Sequence, residues 1–306
     1  GVVYTIKAWR ERLEARGHTV YIVYPESSYD PDTNEIPVPS VSNPLYRQYR
    51  LPLYRRLSSL PELDVVHCHG PASTGLMGRR YATQHDIKSV YTHHTPIEEY
   101  LIRAVRYETL ADAVGRLYVA YENQFLRSFD CVTASTAKIR RKVTARQLPV
   151  GIEMDRFRPQ EEQLFDGDRP TVGYSGRMTT KKNIDEILRV ASETPAYRYV
   201  LVGEGPARSQ LEQDAPANVE FHDFMEREKL PTFYSSLDVF VSASTCDTLG
   251  LSTLEACACG TPVAAADVQP FNETIGEENG ARFEYGNIDA MARAIRACLD
   301  GDRDTR

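Results

Sequence analysis

The chain has 306 residues, 42% hydrophobic and 26% charged, with a formal net charge of -7. That length suffices for two domains with separate cores. The acidic balance excludes a global basic field for nucleic acid, and there is no apolar run of about 18 residues to cross a membrane as a helix. Cys68, Cys131, Cys246, Cys257, Cys259 and Cys298 follow no framework spacing, which fits a reducing, cytoplasmic setting.

Val3, Ile6, Trp9 and Leu13 recur at helical spacing and Gly17 ends the helix. Thr19 to Pro25 reads as a buried strand, and residues 26–44, rich in Pro, Ser, Asn and Asp, as a loop. Residues 45–60 mix Arg, Tyr and Leu at near-helical spacing. Asp64 to Gly70 and Lys88 to Thr95 are strands with polar tips, and each precedes a helix, the second running from Glu98 to Arg127. Asp130 to Ser135 is another strand. Strand–helix alternation argues a parallel sheet with helices on both faces.

The pattern breaks between Pro149 and Pro170, so an N-terminal domain is expected over 1–150, a linker over 151–169 and a C-terminal domain over 170–306. Alternation then resumes. Strands are expected at Thr171–Gly176, Tyr199–Gly203, Val219–Phe221, Asp238–Ala243, Thr261–Ala265 and Ala281–Tyr285, with helices near 183–193, 206–214, 226–236, 251–259 and 287–300. Two doubly wound domains in tandem are expected to hold a ligand between their C-terminal strand ends. The chain opens on a helix and stops just after one, so the first strand of the N-terminal sheet and a last C-terminal helix read as missing.

The segment Ser244-Thr-Cys-Asp247-Thr-Leu249-Gly250-Leu251-Ser-Thr-Leu-Glu255-Ala-Cys-Ala-Cys-Gly260-Thr-Pro-Val263 joins a strand to a helix through a Gly loop. Free N–H groups at such a helix start suit a diphosphate, and carboxylates accept sugar hydroxyls. The segment resembles the E-x7-E signature of family 4 (GT4) glycosyltransferases, which are retaining enzymes of the GT-B fold, with two Rossmann-like domains facing a cleft. The resemblance implies that Asp247, Leu249, Gly250 and Leu251 meet the donor hexose and that Glu255 meets the ribose. Asp stands where the family usually has Glu at position 247, which shortens the reach by one methylene. Tyr174-Ser-Gly176-Arg177-Met-Thr-Thr-Lys181-Lys182-Asn183 is similar to the family's G-R-L-x-x-x-K-N, and implies that Arg177 and Lys182, or else Lys181, neutralise the leaving diphosphate beside Gly176. Leu201 to Pro206 resembles its G-x-G-P turn, and Val150 to Pro159 its linker.

Thr92-His93-His94-Thr95-Pro-Ile-Glu98-Glu99-Tyr100 is similar to a stretch of diacylglycerol glucosyltransferase-like members, where a His faces the donor sugar, and His94 is the candidate ahead of His93. His67 and His69 end the neighbouring strand. Gly1-Val2-Val3 resembles the end of the family's G-G-V loop at the donor phosphate and acceptor, which makes Gly1 a donor-binding candidate. By this resemblance the enzyme moves a hexose from a nucleotide diphosphate sugar, UDP-glucose in type, to a lipid, glycan or small-molecule hydroxyl. It needs no cofactor and no metal. Residues 45–60 suit peripheral contact with an anionic bilayer on the cytoplasmic face. A non-catalytic sugar-nucleotide binder and a sugar-nucleotide epimerase of the same fold are the alternatives. A dinucleotide oxidoreductase is weaker, because Arg208 replaces the third Gly after Gly203-x-Gly205.

Overall fold

A computed structural model describes the chain except residues 1, 28–29, 43–49, 55–56, 58–59, 72, 95–107, 138–144, 149, 166, 168 and 302–306, and the side chains of 108–111. The candidate Gly1, most of the segment 45–60 and the Thr95–Tyr100 part of the histidine motif therefore lie outside the described residues. The chain divides into two compact units, Gly1–Val150 and Gly151–Arg306.

The first unit begins with α1 (Val2–Glu14) and β1 (Ile22–Pro25). Residues expected to loop instead supply β2 (Glu35–Val38), parallel to β1, and β3 (Ser40–Ser42). Pro37 masked β2 in the sequence, and this edge position, opposite Tyr24, is one that proline tolerates. β3 pairs antiparallel with β4 (Arg50–Pro52). The described part of the segment 45–60 is thus extended where a near-helical pattern was expected; with Pro52 in it, the strand conformation wins. A parallel sheet, in the order β5-β6-β7-β8, is formed by β5 (Val65–Cys68), β6 (Lys88–His93), β7 (Cys131–Ala134) and β8 (Arg146–Gln147). It packs with α2 (Ser73–His85) and α3 (Glu108–Leu126), where Tyr91, Phe125 and Phe129 make a buried aromatic knot.

The second unit is a six-stranded, wholly parallel sheet. Its strands are β9 (Thr171–Ser175), β10 (Arg198–Val202), β11 (Val219–His222), β12 (Val239–Ser242), β13 (Val263–Ala266) and β14 (Gly280–Phe283), in the order β11-β10-β9-β12-β13-β14. The helices α4 (Ile184–Glu193), α5 (Arg208–Asp214), α6 (Leu230–Ser235), α7 (Leu251–Ala258), α8 (Phe271–Thr274) and α9 (Ile288–Asp300) connect or flank the strands. Strands with both faces covered read as unbroken apolar runs, and Val239 to Ser242 and Val263 to Ala266 are buried throughout. One core cluster holds Val172, Leu201, Val241, Ile187 and Ile295, the other Val200, Phe233, Phe240, Phe271 and Phe157. The short α8 was not legible; its four residues are too few to show a period.

Backbone pairing between β9 and β10 continues past the strand ends. Gly176 N–H donates to Val202 O at 3.0 Å and Met178 N–H to Glu204 O at 2.8 Å. Such a ladder of loops requires Gly203, whose φ is 138° and whose Cβ, if present, would lie 2.0 Å from Gly176 O. A Gly203→Ala variant is expected to lose about 1–3 kcal/mol, the scale of one strained backbone residue. Denaturant unfolding measures this, and an unchanged midpoint would contradict the account.

Candidate functional site

In an open α/β sheet, ligands bind where the strand order reverses. Here the reversal lies between β9 and β12, and both polar motifs emerge at that point. The β9 flank carries Gly176, Arg177 and, after a 3-10 turn at Thr180–Lys182, the helix α4. The β12 flank carries residues 243–250 and then α7. Two side-chain bonds tie the flanks together. Lys182 Nζ donates to Asp247 Oδ1 at 2.5 Å, and Asn183 Nδ2 donates to Ala243 O at 2.9 Å, from a backbone with φ of 50°. Lys182 and Asp247 each keep about a fifth of their side-chain surface open, at 22% and 21%. Arg177 is exposed and Leu249 buried.

Gly250 caps α7 with a φ of 74°, and no side chain accepts from the first helical N–H groups. A Cβ here would meet Phe271 at 2.5 Å, so the loop runs hard against the core. Leu251 is the first residue of that helix.

One turn into α7, Glu255 is 4% exposed and sits in a network the sequence did not announce. Arg227 Nη1 donates to Glu255 Oε1 at 2.8 Å, while Arg227 Nε donates to Glu153 Oε2 at 3.3 Å. Tyr234 OH donates to Glu255 Oε2 at 3.2 Å and accepts from Ser175 Oγ at 2.8 Å. The guanidinium lies 4.7 Å from the Phe157 ring centroid. Burial pushes the Glu255 carboxyl above its ordinary value, and Arg227 and then Tyr234 pull against it. Arg227 is itself held above its ordinary value: burial opposes the charge, and Glu255 and Glu153 outweigh it.

The first unit gathers a separate cluster. Side chains alternate across β6, so Tyr91 and His93 face α3 while Thr92 and then His94 turn the other way. His93 Nε2 is 3.2 Å from Glu122 Oε1, which also accepts from Tyr118 OH at 3.0 Å. His94 Nε2 shares a proton with His69 Nδ1 at 2.9 Å, and the rings stack 5.2 Å apart. His67 bonds Thr92 Oγ1 at 2.6 Å and stacks on Trp9, with ring centroids 5.3 Å apart. Burial pushes His94 down to about 4 and His69 to about 2, with neighbouring imidazoles adding to both. His67 is lowered by the same loss of hydration, although part of its surface stays open.

At the strand end after β10, Arg208 occupies the place of a third glycine. It donates to Gly203 O at 3.0 Å and pairs with Asp223 at 2.8 Å, so this turn is closed by protein groups. The six cysteines are free thiols, with Cys68, Cys259 and Cys298 buried as packing.

Residues 1–151 match the family described as Glycosyltransferase Family 4, and residues 155–306 the family described as Glycosyl transferases group 1. An alpha-monoglucosyldiacylglycerol synthase of Streptococcus pneumoniae is 28% identical over 98% of this chain and 75% of its own length. Another, from Acholeplasma laidlawii, is 28% identical over 96% of this chain and 84% of its own. Among solved structures, a sucrose-phosphate synthase from Thermosynechococcus elongatus superposes with a TM-score of 0.66 at 26% identity, covering 79% of this chain and 65% of that one. Anabaena HepE, solved with UDP and glucose, superposes at 0.61 and 18% identity over 79% of this chain and 70% of its own, a likeness of fold.

Proposed function

Because the chain belongs to family 4 of the glycosyltransferases and has their GT-B fold, we propose that it moves glucose from UDP-glucose, with retention, to the hydroxyl of a diacylglycerol-type lipid. The observation that carries the donor half is that the two loops flanking the strand-order reversal of the second unit carry Arg177, Lys182, Asp247 and Gly250, with Lys182 bonded to Asp247 across them and Glu255 one turn into the helix that follows. In this reading Gly176 and the N–H groups from Gly250 and Leu251 receive the diphosphate, and Arg177 and Lys182 supply its countercharge. Asp247 and Leu249 border the hexose, and Glu255 accepts from the ribose. In the first unit His94, whose Nε2 is engaged by His69, is the candidate that the resemblance points to.

The bond from the anomeric carbon to the diphosphate oxygen breaks while the acceptor oxygen bonds to that carbon on the same face. The acceptor proton passes to the departing phosphate. Countercharge from two side chains takes the place of a metal, and no cofactor enters. Glucose, lipid and the alpha linkage are read from the relatives' names, an alpha product from an alpha-linked donor being retention. Leu51, Leu53 and Tyr54 are 40%, 49% and 52% exposed beside Arg50, which supports peripheral contact with an anionic bilayer through 45–60. Among the described residues no helix is long and apolar enough to cross a membrane.

Calorimetric titration with UDP-glucose, UDP-galactose, UDP-GlcNAc and GDP-mannose tests the donor half. UDP-glucose is expected to bind, about tenfold more weakly to Glu255→Ala, a loss of ~1.4 kcal/mol. Binding that ignores Glu255 sinks the site. Transfer to diacylglycerol vesicles, with the anomer read by NMR, tests the rest, and binding without transfer to any lipid or soluble acceptor would leave a sugar-nucleotide binder.

A further inference from the structure

A carboxylate offers about four lone-pair directions, and ribose hydroxyls need some of them left in a fixed orientation. Glu255 meets that condition through its neighbours. Arg227 takes one direction on Oε1 and Tyr234 one on Oε2, which leaves one direction on each oxygen. Arg227 is held in turn: Glu153 accepts from its Nε and Phe157, which is fully buried, lies under its plane. Three separate stretches of chain therefore converge on one guanidinium: the linker start, the turn after β11, and α7.

We propose that Arg227 is a positioning residue for nucleotide binding, which keeps the Glu255 carboxylate ionised and aimed by bridging it to Glu153. This deepens the reading of Glu255 as the ribose acceptor and rests on it. Arginine suits the task because its planar fork reaches two carboxylates at once, whereas a lysine ammonium is a point charge. The groups facing Glu255 are Arg227, Tyr234 from α6, Glu153 from the linker and Cys259 at the end of α7. Arg227 is the cation among them. Without it only the Tyr234 hydrogen bond opposes burial and Glu153, so Glu255 takes up a proton at higher pH and affinity falls earlier on acidification.

The test is a double-mutant cycle read by calorimetric titration with UDP, and with GDP as second probe, across pH 5.5 to 8. Arg227→Met is expected to weaken UDP binding about tenfold and to move the acid limb of the affinity profile upward. In a Glu255→Ala background the same change is expected to cost less than about twofold, since residues acting through one another are not additive. Arg227→Lys is expected to fall between wild type and Arg227→Met, and it carries the cycle if the Met variant does not fold. A loss repeated in full in the Glu255→Ala background would make Arg227 merely structural and overturn the proposal, as would unchanged binding by Arg227→Met. If Glu255→Ala alone binds UDP like wild type, the donor site itself is wrong and the proposal falls with it.

Discussion

A Lys182→Ala variant is expected to transfer sugar at least about a hundredfold more slowly than wild type, with kcat and kcat/KM falling together. The reason lies in where charge develops. As the glycosidic bond stretches, negative charge grows on the diphosphate, and a cation fixed beside it stabilises that state more than the bound donor. Lys182 is fixed by its place at the end of the 3-10 turn and by its bond to Asp247, with 22% of its side chain open. Both partners stay partly open to solvent, so removing the ammonium is expected to affect folding little. Steady-state kinetics with the donor at saturation measure the loss. Lys181→Ala, which removes the neighbouring ammonium, is expected to retain most activity. Equal losses for the two lysines would assign the role to the basic turn as a whole, and a raised KM at constant kcat would reduce Lys182 to a ground-state contact.

Acidification is expected to unfold the first unit well before carboxylates titrate. His94 and His69 are neutral in the fold, pushed down to about 4 and about 2 by burial, whereas in the unfolded chain an imidazole titrates near 6.5. As pH falls through 6.5 the unfolded chain takes up protons that the folded chain refuses. The stability these rings contribute is thus whole above that value and is lost as pH drops toward 4. By pH 5 the loss amounts to ~2 kcal/mol for a fully buried ring, and about 4 kcal/mol as an upper bound for the pair, since His69 is partly open. Trp9 is the single tryptophan of the chain and stacks on His67, so its fluorescence reports this cluster directly. Urea unfolding followed at pH 7 and pH 5 should show the midpoint fall, and His94→Asn should flatten the dependence. A midpoint that holds steady between those pH values would refute the assignment of neutral buried rings.

The sequence carried the second unit well because its signals are local. Strands there are near-continuous apolar runs ended by Gly or by polar motif residues, and the loops after them keep the residue types that their backbone demands, as at Gly203 and Gly250. The first unit was less legible. Pro37 and Pro52 disguised β2 and β4, which are held by pairing with the strands just before them, β1 and β3, rather than by propensity. The histidines stood out as a motif, but strand parity, which sends His93 to Glu122 and His94 to His69, depends on register. Arg227 and Tyr234 were missed for a different reason. Neither lies in a recognisable motif, and their partners Glu153, Glu255 and Ser175 are distant in the chain, so only the folded sheet brings them together.

The stretch after Val150 has a bearing on how such enzymes exchange halves. Phe157 fills a core position of the second unit, Gln160 and Leu164 donate backbone N–H groups to Ser235 and Ser236, and Glu153 holds Arg227. These residues pack with the second unit, although their composition reads as a connector. A hybrid spliced after Val150 transplants that unit with the Glu153–Arg227–Glu255 network whole. One spliced at Pro170 inherits the sheet but draws the residues that meet Arg227 and fill the Phe157 position from the other parent. The seam for recombining the two units therefore lies about twenty residues upstream of the first strand of the sheet it serves.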